Sequence, residues 1–156
     1  MKRHWKTYLF WIALAEGVGA LSGWLTRDGT KWYQEFADKA PLSPPGWVFP
    51  VVWGILYALM GFGAARVSLT EPTPQRSAGL NLFIGQLTVN FFWSLIFFNL
   101  RAYGFALAWL GLLWVLIVWM IFAFHKMDRL AAWLQIPYLL WVTFAAYLNW
   151  GAWVLN

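Results

Sequence analysis

Residues 103–124 read YGFALAWLGLLWVLIVWMIFAF and contain no charged side chain. A helix needs about 20 apolar residues to cross the hydrocarbon core of a bilayer. Four further stretches have a similar length and composition, and they cover residues 8–25, 47–65, 80–100 and 130–154. The sequence therefore predicts an all-α membrane protein, a bundle of five transmembrane helices that forms a single domain over residues 1–156.

The overall composition supports this prediction. Hydrophobic residues make up 62% of the chain and aromatic residues 21%, whereas only 11% are charged. Soluble domains carry about 25% charged residues, so the composition excludes a free soluble protein as well as a disordered one. The apolar runs are much longer than the alternating strands of an outer-membrane barrel, which leaves helices. The chain has no cysteine, which excludes disulfides, thiol catalysis and iron–sulfur clusters.

The net charge of +5 is spread over the ends of the apolar segments. Nucleic-acid binding needs a basic patch, and we therefore expect no nucleic-acid partner. Cations near membrane helices instead report topology, because cytoplasmic loops are enriched in Lys and Arg. One side would carry Lys2, Arg3, Lys6, Arg66, Arg76, Lys126 and Arg129, and the other Arg27, Lys31, Lys39 and Arg101. This asymmetry predicts a cytoplasmic N-terminus.

The connection between the first two spans, residues 26–46, is much longer than the others. Its residues 30–36 could form one or two turns of interfacial helix, and Pro41, Pro44 and Pro45 stiffen its second half. We predict that this segment acts as a hinged lid, with Trp32 and Tyr33 as its contact edge.

Polar side chains inside the third span suggest a site, because polar groups in hydrocarbon are costly. Gln86 and Asn90 are four residues apart, and Trp93 and Phe97 continue the same helix face. Two amides beside two aromatic rings suit a flat, conjugated ligand. Alternatively, both amides form hydrogen bonds to neighbouring helices, as is common in membrane bundles.

The second and fifth spans combine proline with aromatic residues. Pro50 removes a backbone donor and can kink the second helix, with Trp53 following it. In the fifth span, Trp141 and Ala145 are four residues apart, which leaves a hollow beside the indole or simply permits close helix packing. Trp53, Trp93 and Trp141 combine mid-membrane depth with polar or proline neighbours, and we take them as pocket candidates.

Glu16 is the sole acidic residue deep within a span. It is either a proton or cation site, or a protonated carboxyl that donates one hydrogen bond inside the bundle. Gly19 and Gly23 lie on a small-residue face that allows another helix to approach closely. The two histidines, His4 and His125, lie at segment ends and are expected to be solvated. No metal site, nucleophile motif or phosphate-binding loop is present in the sequence, so we expect no required cofactor.

Three motifs carry a resemblance to a known family. Trp32-Tyr33 and residues 44–53, PPGWVFPVVW, form the first, residues 90–98, NFFWSLIFF, preceded by Gln86, the second, and residues 136–149, IPYLLWVTFAAYLN, the third. Together they resemble the TspO/MBR family, which comprises the tryptophan-rich sensory proteins and the translocator protein, or peripheral-type benzodiazepine receptor. The likeness extends over nearly the whole chain.

The resemblance implies a five-helix integral membrane protein, usually a homodimer, in a bacterial cell envelope. Family members bind porphyrins such as protoporphyrin IX, and hydrophobic drug-like molecules such as benzodiazepines. The ligand-binding residues that the motifs imply are Tyr33, Pro44, Trp53, Asn90, Trp93, Trp141 and Ala145. The cholesterol motif of the mitochondrial relatives requires a basic residue after Tyr147, and none follows here.

Three functions remain open at this point. The first is a membrane receptor or sensor for porphyrins, with porphyrin as ligand and possible transport of it. The second is a light- and oxygen-dependent porphyrin-degrading enzyme in which Trp53 and Trp141 take part, a role that only the resemblance supports. The third is a small-solute transporter with Glu16 as the coupling residue.

Overall fold

The computed structural model describes residues 4–156, and it is 83% helical. The helices are α1 (Trp5–Leu25), α2 (Arg27–Phe36), α3 (Val48–Ser68), α4 (Pro74–Ser94), α5 (Tyr103–His125), α6 (Arg129–Trp133) and α7 (Ile136–Leu155). A π-helical turn, Leu95–Asn99, extends α4.

Within residues 4–156, five segments are long and apolar enough to cross a membrane. They are α1, α3, α4 with its π-helical turn, α5, and α6 together with α7. The prediction of an all-α, five-helix membrane bundle is therefore confirmed, and the chain is an integral, multi-pass membrane protein.

Several helix boundaries differ from the predicted ones. The fifth span is divided between Trp133 and Ile136, because Pro137 has no backbone N–H to donate to the Trp133 carbonyl oxygen and its ring would clash with that carbonyl in a continuous helix. Pro50 lies in the first turn of α3. Backbone N–H groups in the first turn of a helix have no intrahelical partner. Pro50 therefore fits at this position without the predicted kink in the helix.

The core lies around α5, which packs against both α4 and α7. Its buried side chains recur every three or four residues and so form one face: Leu110, Leu113, Ile117, Met120 and Phe124. In contrast, α1 buries only Ala15 and Ser22 and packs mainly along α3. α1 is therefore a peripheral helix with one face on the bundle.

α1 approaches α3 closely at Gly61. A Cβ atom built on Gly61 would lie 2.5 Å from Ile12 Cα and 2.6 Å from the Trp11 carbonyl oxygen. A small residue on α3 thus permits this contact. The predicted small-residue face of α1 also takes part at Gly19, where a Cβ would overlap the Tyr57 ring of α3.

We expect Gly61→Ala to lower stability, because the added methyl group meets the backbone of α1 and forces the two helices apart. Overpacking of this kind costs about 1–3 kcal/mol. Thermal unfolding in detergent, followed by circular dichroism, measures the change. Gly111→Ala is the matched control, since a Cβ at Gly111 meets nothing within 4 Å. An equal melting temperature for both variants would contradict the packing argument.

One membrane side collects several of the predicted cytoplasmic cations. Arg66 Nε lies 3.0 Å from Asp128 Oδ2, which joins the end of α3 to the start of α6. Arg76 Nη1 donates to the carbonyl oxygens of Ser68 and Thr70 at 3.0 and 3.1 Å. Lys2 and Arg3, which also entered the orientation argument, lie outside the described residues.

Candidate functional site

A cavity of about 590 Å³ opens between α1, α2, α3, the end of α4 and α7. This volume falls within the usual range for small-molecule sites. Eight aromatic side chains of the described residues contribute to its wall: Tyr33, Phe49, Trp53, Tyr57, Trp93, Phe97, Phe98 and Trp141. The wall is thus mostly apolar and rich in aromatic rings, with a few polar groups set among them.

The rings are held in pairs. The ring centroids of Trp53 and Tyr57 are 5.5 Å apart at an interplanar angle of 29°, and those of Trp93 and Phe97 are 5.1 Å apart at the same angle. Such aromatic pairs add about 0.5–1.5 kcal/mol beyond the area that they bury. The paired rings therefore give the cavity stiff, flat faces.

Five of the seven predicted binding residues lie in the cavity wall: Tyr33, Trp53, Trp93, Trp141 and Ala145. The structure brings together residues from α2, α3, α4 and α7 that are more than 100 positions apart in sequence. Ala145 lies four residues after Trp141 on α7, and its small side chain leaves room beside the indole. The alternative, in which Ala145 merely permits close helix packing, does not account for its place in the wall.

Asn90 does not lie in the wall, because both ends of its amide are used inside the bundle. Tyr57 Oη donates to Asn90 Oδ1 at 2.6 Å, and Asn90 Nδ2 donates to Tyr138 Oη at 2.7 Å. Tyr138 Oη in turn donates to Gln86 Oε1 at 2.7 Å. The structure therefore supports the alternative in which the amides of Gln86 and Asn90 form hydrogen bonds to neighbouring helices, and it does not place Asn90 where a ligand in the cavity would contact it.

Pro44 is also absent from the wall, where Gly46 lies instead. The carbonyl oxygen of Pro45 accepts a hydrogen bond from Val48 N at 3.0 Å, so this short segment forms the turn that begins α3. Gly46 faces the side chain of Gln34, which a Cβ would approach to 3.2 Å. Pro44 therefore belongs to the connection that leads into α3, and Gly46 lines the cavity in its place.

The predicted lid is a helix followed by a connection that is fastened to α7. Residues 27–36 form the ten-residue helix α2, where one or two turns over residues 30–36 were predicted. Tyr147 Oη donates to the Pro41 carbonyl oxygen at 2.8 Å, and Asn156 Nδ2 donates to that of Asp38 at 2.8 Å. Since α7 holds the second half of the segment in this way, the predicted hinged lid is docked on the bundle in this structure, and its hinge motion stays a prediction.

Within α2, the two predicted edge residues separate. Tyr33 is buried in the cavity wall, where burial raises the pKa of its hydroxyl to about 12, and it therefore remains a neutral phenol at physiological pH. Trp32 lies under Arg101, whose guanidinium carbon is 3.7 Å from the indole centroid. Only Tyr33 of this pair contributes to the cavity.

Sequence reasoning missed the π-helical turn at the end of α4. A π-turn widens the helix and often marks a functional site. Here Trp93, Ser94, Phe97 and Phe98 all lie in the wall. Gly29 of α2 packs directly on this turn, since a Cβ there would lie 2.7 Å from the Phe98 carbonyl oxygen.

Sequence reasoning also missed the wall that α1 contributes, namely Glu16, Gly19, Ala20, Ser22, Gly23 and Thr26. The small residues of this helix were interpreted as a face for close helix packing. Gly19 does admit the Tyr57 ring of α3, but a Cβ at Gly23 would meet nothing within 4 Å, so the missing side chain leaves open space there. The small residues were visible in the sequence, but at Gly23 they indicate a cavity and not a helix contact.

Trp93 is fixed by hydrogen bonds that the sequence did not indicate. Its Nε1 donates to Asn149 Oδ1 at 3.1 Å, and Asn149 Nδ2 donates to the Tyr103 carbonyl oxygen at 2.8 Å. The Trp141 Nε1 atom, in contrast, is buried with no hydrogen-bond partner among residues 4–156. No group of three His, Cys, Asp or Glu side chains in that range could hold a metal ion.

The fold and the cavity define a membrane protein of five spans with a cavity lined by aromatic side chains. The chain belongs to the TspO/MBR family, whose sequence model matches residues 11–154. It is 36% identical to a tryptophan-rich protein TspO of Chlorobaculum tepidum over 100% of this chain and 99% of the relative. It is 35% identical to a tryptophan-rich sensory protein of Cereibacter sphaeroides (100% and 95% covered), and 36% identical to the human translocator protein (91% and 86% covered).

Proposed function

We propose that the protein is a membrane receptor or sensor of a bacterial cell envelope that binds porphyrins and other flat hydrophobic molecules in the aromatic cavity. The observation that carries this proposal is the wall itself, which presents paired ring faces around a volume of about 590 Å³. Flat aromatic ligands stack on such faces with little loss of side-chain entropy. Two relatives are named as tryptophan-rich or sensory proteins, which agrees with this role.

Titration of the purified protein with protoporphyrin IX tests the proposal. Ligand stacked beside Trp53, Trp93 and Trp141 quenches their fluorescence, so we expect saturable quenching. The double variant Trp53→Ala/Trp141→Ala removes two of these faces and should lose most of the high-affinity quenching. Equal saturable quenching by wild type and the double variant would show that protoporphyrin IX does not bind in the cavity.

The charges at the cavity suggest how a porphyrin is oriented. Arg27 lies in the wall at the start of α2, whereas Glu16 lies about 13 Å back along α1 from Leu25, the last residue of that helix, by helix rise. The propionate groups of a porphyrin are anionic, so they are repelled by Glu16 and attracted by Arg27. We therefore place the propionates near α2 and the apolar ring between the tryptophans.

Of the three cations predicted near these propionates, only Arg27 contributes to the wall. Lys31 is exposed on α2 and lies outside it. Lys39 Nζ donates to the carbonyl oxygens of Gln34 and Ala37 at 3.0 and 3.1 Å. Lys39 is therefore occupied within the connection that carries it.

We expect Arg27→Ala to weaken protoporphyrin IX binding by less than about tenfold, because an exposed ion pair contributes only about 0–1 kcal/mol. The affinity of the variant should also depend less on salt concentration. Titrations at two ionic strengths measure both effects. Lys31→Ala removes the same charge from the same helix outside the wall, and it should leave the affinity unchanged. A loss with Arg27→Ala larger than that with Trp141→Ala would show that the ligand is oriented differently.

A further inference from the structure

The carboxyl group of Glu16 lies in the cavity wall without an ionic partner. The ion pair found among residues 4–156 joins Arg66 to Asp128, at the far end of α3. The cation that shares the cavity wall, Arg27, interacts with Trp24 at the α2 end of the cavity and forms no ion pair with Glu16. Its Nη1 donates to the Trp24 carbonyl oxygen at 2.6 Å, and its guanidinium carbon lies 4.6 Å from the Trp24 ring centroid. Glu16 therefore presents an acidic group to the cavity that no basic side chain of the described chain neutralises.

Aromatic faces lie next to this carboxyl group. Glu16, Gly19 and Ala20 occupy one face of α1 and all contribute to the wall. A Cβ at Gly19 would overlap the Tyr57 ring, which shows that this ring lies against α1 one turn from Glu16. Tyr57 is stacked on Trp53 with a centroid separation of 5.5 Å. The carboxyl group thus stands beside a stacked pair of electron-rich rings.

The Tyr57 hydroxyl group does not satisfy Glu16 either. Tyr57 Oη donates its proton to Asn90 Oδ1 at 2.6 Å, inside the chain of hydrogen bonds that joins α3, α4 and α7. The Tyr57 hydroxyl proton is therefore used in a hydrogen bond within the bundle, while the Tyr57 ring lies in the cavity wall. The oxygens of Glu16 stay free to meet a ligand.

A carboxyl group beside indole and phenol faces is the combination that recognises organic cations. Cations are attracted to the faces of Trp and Tyr rings within about 6 Å, with gains of about 0.5–2 kcal/mol. A carboxylate adds a full opposite charge, which acts strongly where water is partly excluded. We propose that the cavity also binds flat organic cations, with the charged end of the ligand between Glu16 and the Trp53–Tyr57 pair. This inference rests on the cavity being a ligand site, as proposed above.

Two probes of nearly identical shape test the inference. N-methylacridinium carries a fixed positive charge at every pH, whereas 9-methylacridine is neutral at neutral pH. We expect the wild-type protein in a non-ionic detergent to bind the cation about tenfold more tightly than the neutral compound. Glu16→Gln, which keeps the side-chain shape, should lose about that tenfold preference, because truncating one partner of a desolvated charge pair weakens binding at least this much. Its affinity for 9-methylacridine should change less than about twofold, which also shows that the cavity is intact.

Glu35→Gln is the matched control. It changes the net charge by the same amount, but Glu35 is exposed on α2 outside the cavity wall. This variant should keep the full preference for N-methylacridinium. A wild-type protein without the preference, or a Glu16→Gln variant that retains it, would overturn the inference.

A parallel titration with protoporphyrin IX separates this inference from the proposed function. Porphyrin binding together with equal affinities for the two acridines would overturn the cation site and leave the porphyrin proposal standing. The converse result, a Glu16-dependent preference without porphyrin binding, would support the cation site and refute the porphyrin proposal. If none of the three compounds binds, both proposals are wrong.

Discussion

We expect Trp141→Ala to weaken protoporphyrin IX binding by about 30-fold or more. The indole forms part of the wall beside Ala145, and it packs on Phe49 with ring centroids 5.8 Å apart. Central aromatic anchors commonly contribute 2 kcal/mol or more to binding, and 1.4 kcal/mol corresponds to a tenfold change in affinity. Fluorescence titration, with absorbance of the bound porphyrin as a second signal, measures the loss.

Two further variants make this result specific. Trp119→Ala removes an indole from the lipid-facing side of α5, where the side chain is 60% exposed, and should change the affinity less than about twofold. Trp141→Phe keeps an aromatic ring, and it sacrifices no hydrogen bond because the indole N–H has no partner among the described residues. It should therefore fold with wild-type stability and bind with an intermediate affinity. Equal losses for Trp119→Ala and Trp141→Ala would contradict the cavity assignment.

The second large effect concerns stability. We expect Asn90→Leu to lower the free energy of unfolding by about 2 kcal/mol or more, because it leaves the Tyr57 hydroxyl without an acceptor and removes the N–H that donates to Tyr138 Oη inside the bundle. Both tyrosines are buried, so water cannot replace the amide. For a chain of this size the melting temperature should fall by roughly 4–8 °C.

Thermal unfolding in detergent measures this change, and Thr88→Ala provides the comparison. Thr88 is exposed on the same helix, and its hydroxyl donates to the Ile84 carbonyl oxygen of its own helix at 2.8 Å. The control should unfold at nearly the wild-type temperature. If Asn90→Leu is as stable as the control and binds porphyrin more weakly, Asn90 contacts the ligand after all.

The five spans were predictable because their length and apolar composition are local properties. An uninterrupted run such as residues 103–124 can be stable in a bilayer only as a helix. The division of the fifth span and the full length of α2 were less accessible from the sequence, because the turn before Pro137 and the packing of α2 on the π-helical turn decide them. Boundaries depend on tertiary contacts in a way that hydropathy does not.

The sequence predicted those parts of the site that depend only on which residues share a helix face. The spacing of Trp141 and Ala145 predicted a hollow, and both residues line the cavity. The same kind of spacing placed Asn90 on the face of Trp93, but it could not say that Tyr57 and Tyr138 take up the amide. That outcome depends on two other helices, as does the change of register that the π-helical turn introduces at Phe97.

Glu16 is a residue whose role could not be decided from the sequence. An acidic residue in a span indicates function or an internal hydrogen bond, and the sequence favours neither. The structure places the side chain in the cavity wall beside the Trp53–Tyr57 pair, where a ligand can reach it. Only the packing of α1 along α3 could reveal this neighbourhood.

An experimental structure of the protein with bound protoporphyrin IX tests the central claim most directly. The account predicts that the porphyrin ring lies in the cavity between Trp53, Trp93 and Trp141, with its propionate groups toward Arg27. A porphyrin bound on the lipid-facing surface of the bundle, with the cavity free of ligand, would contradict it.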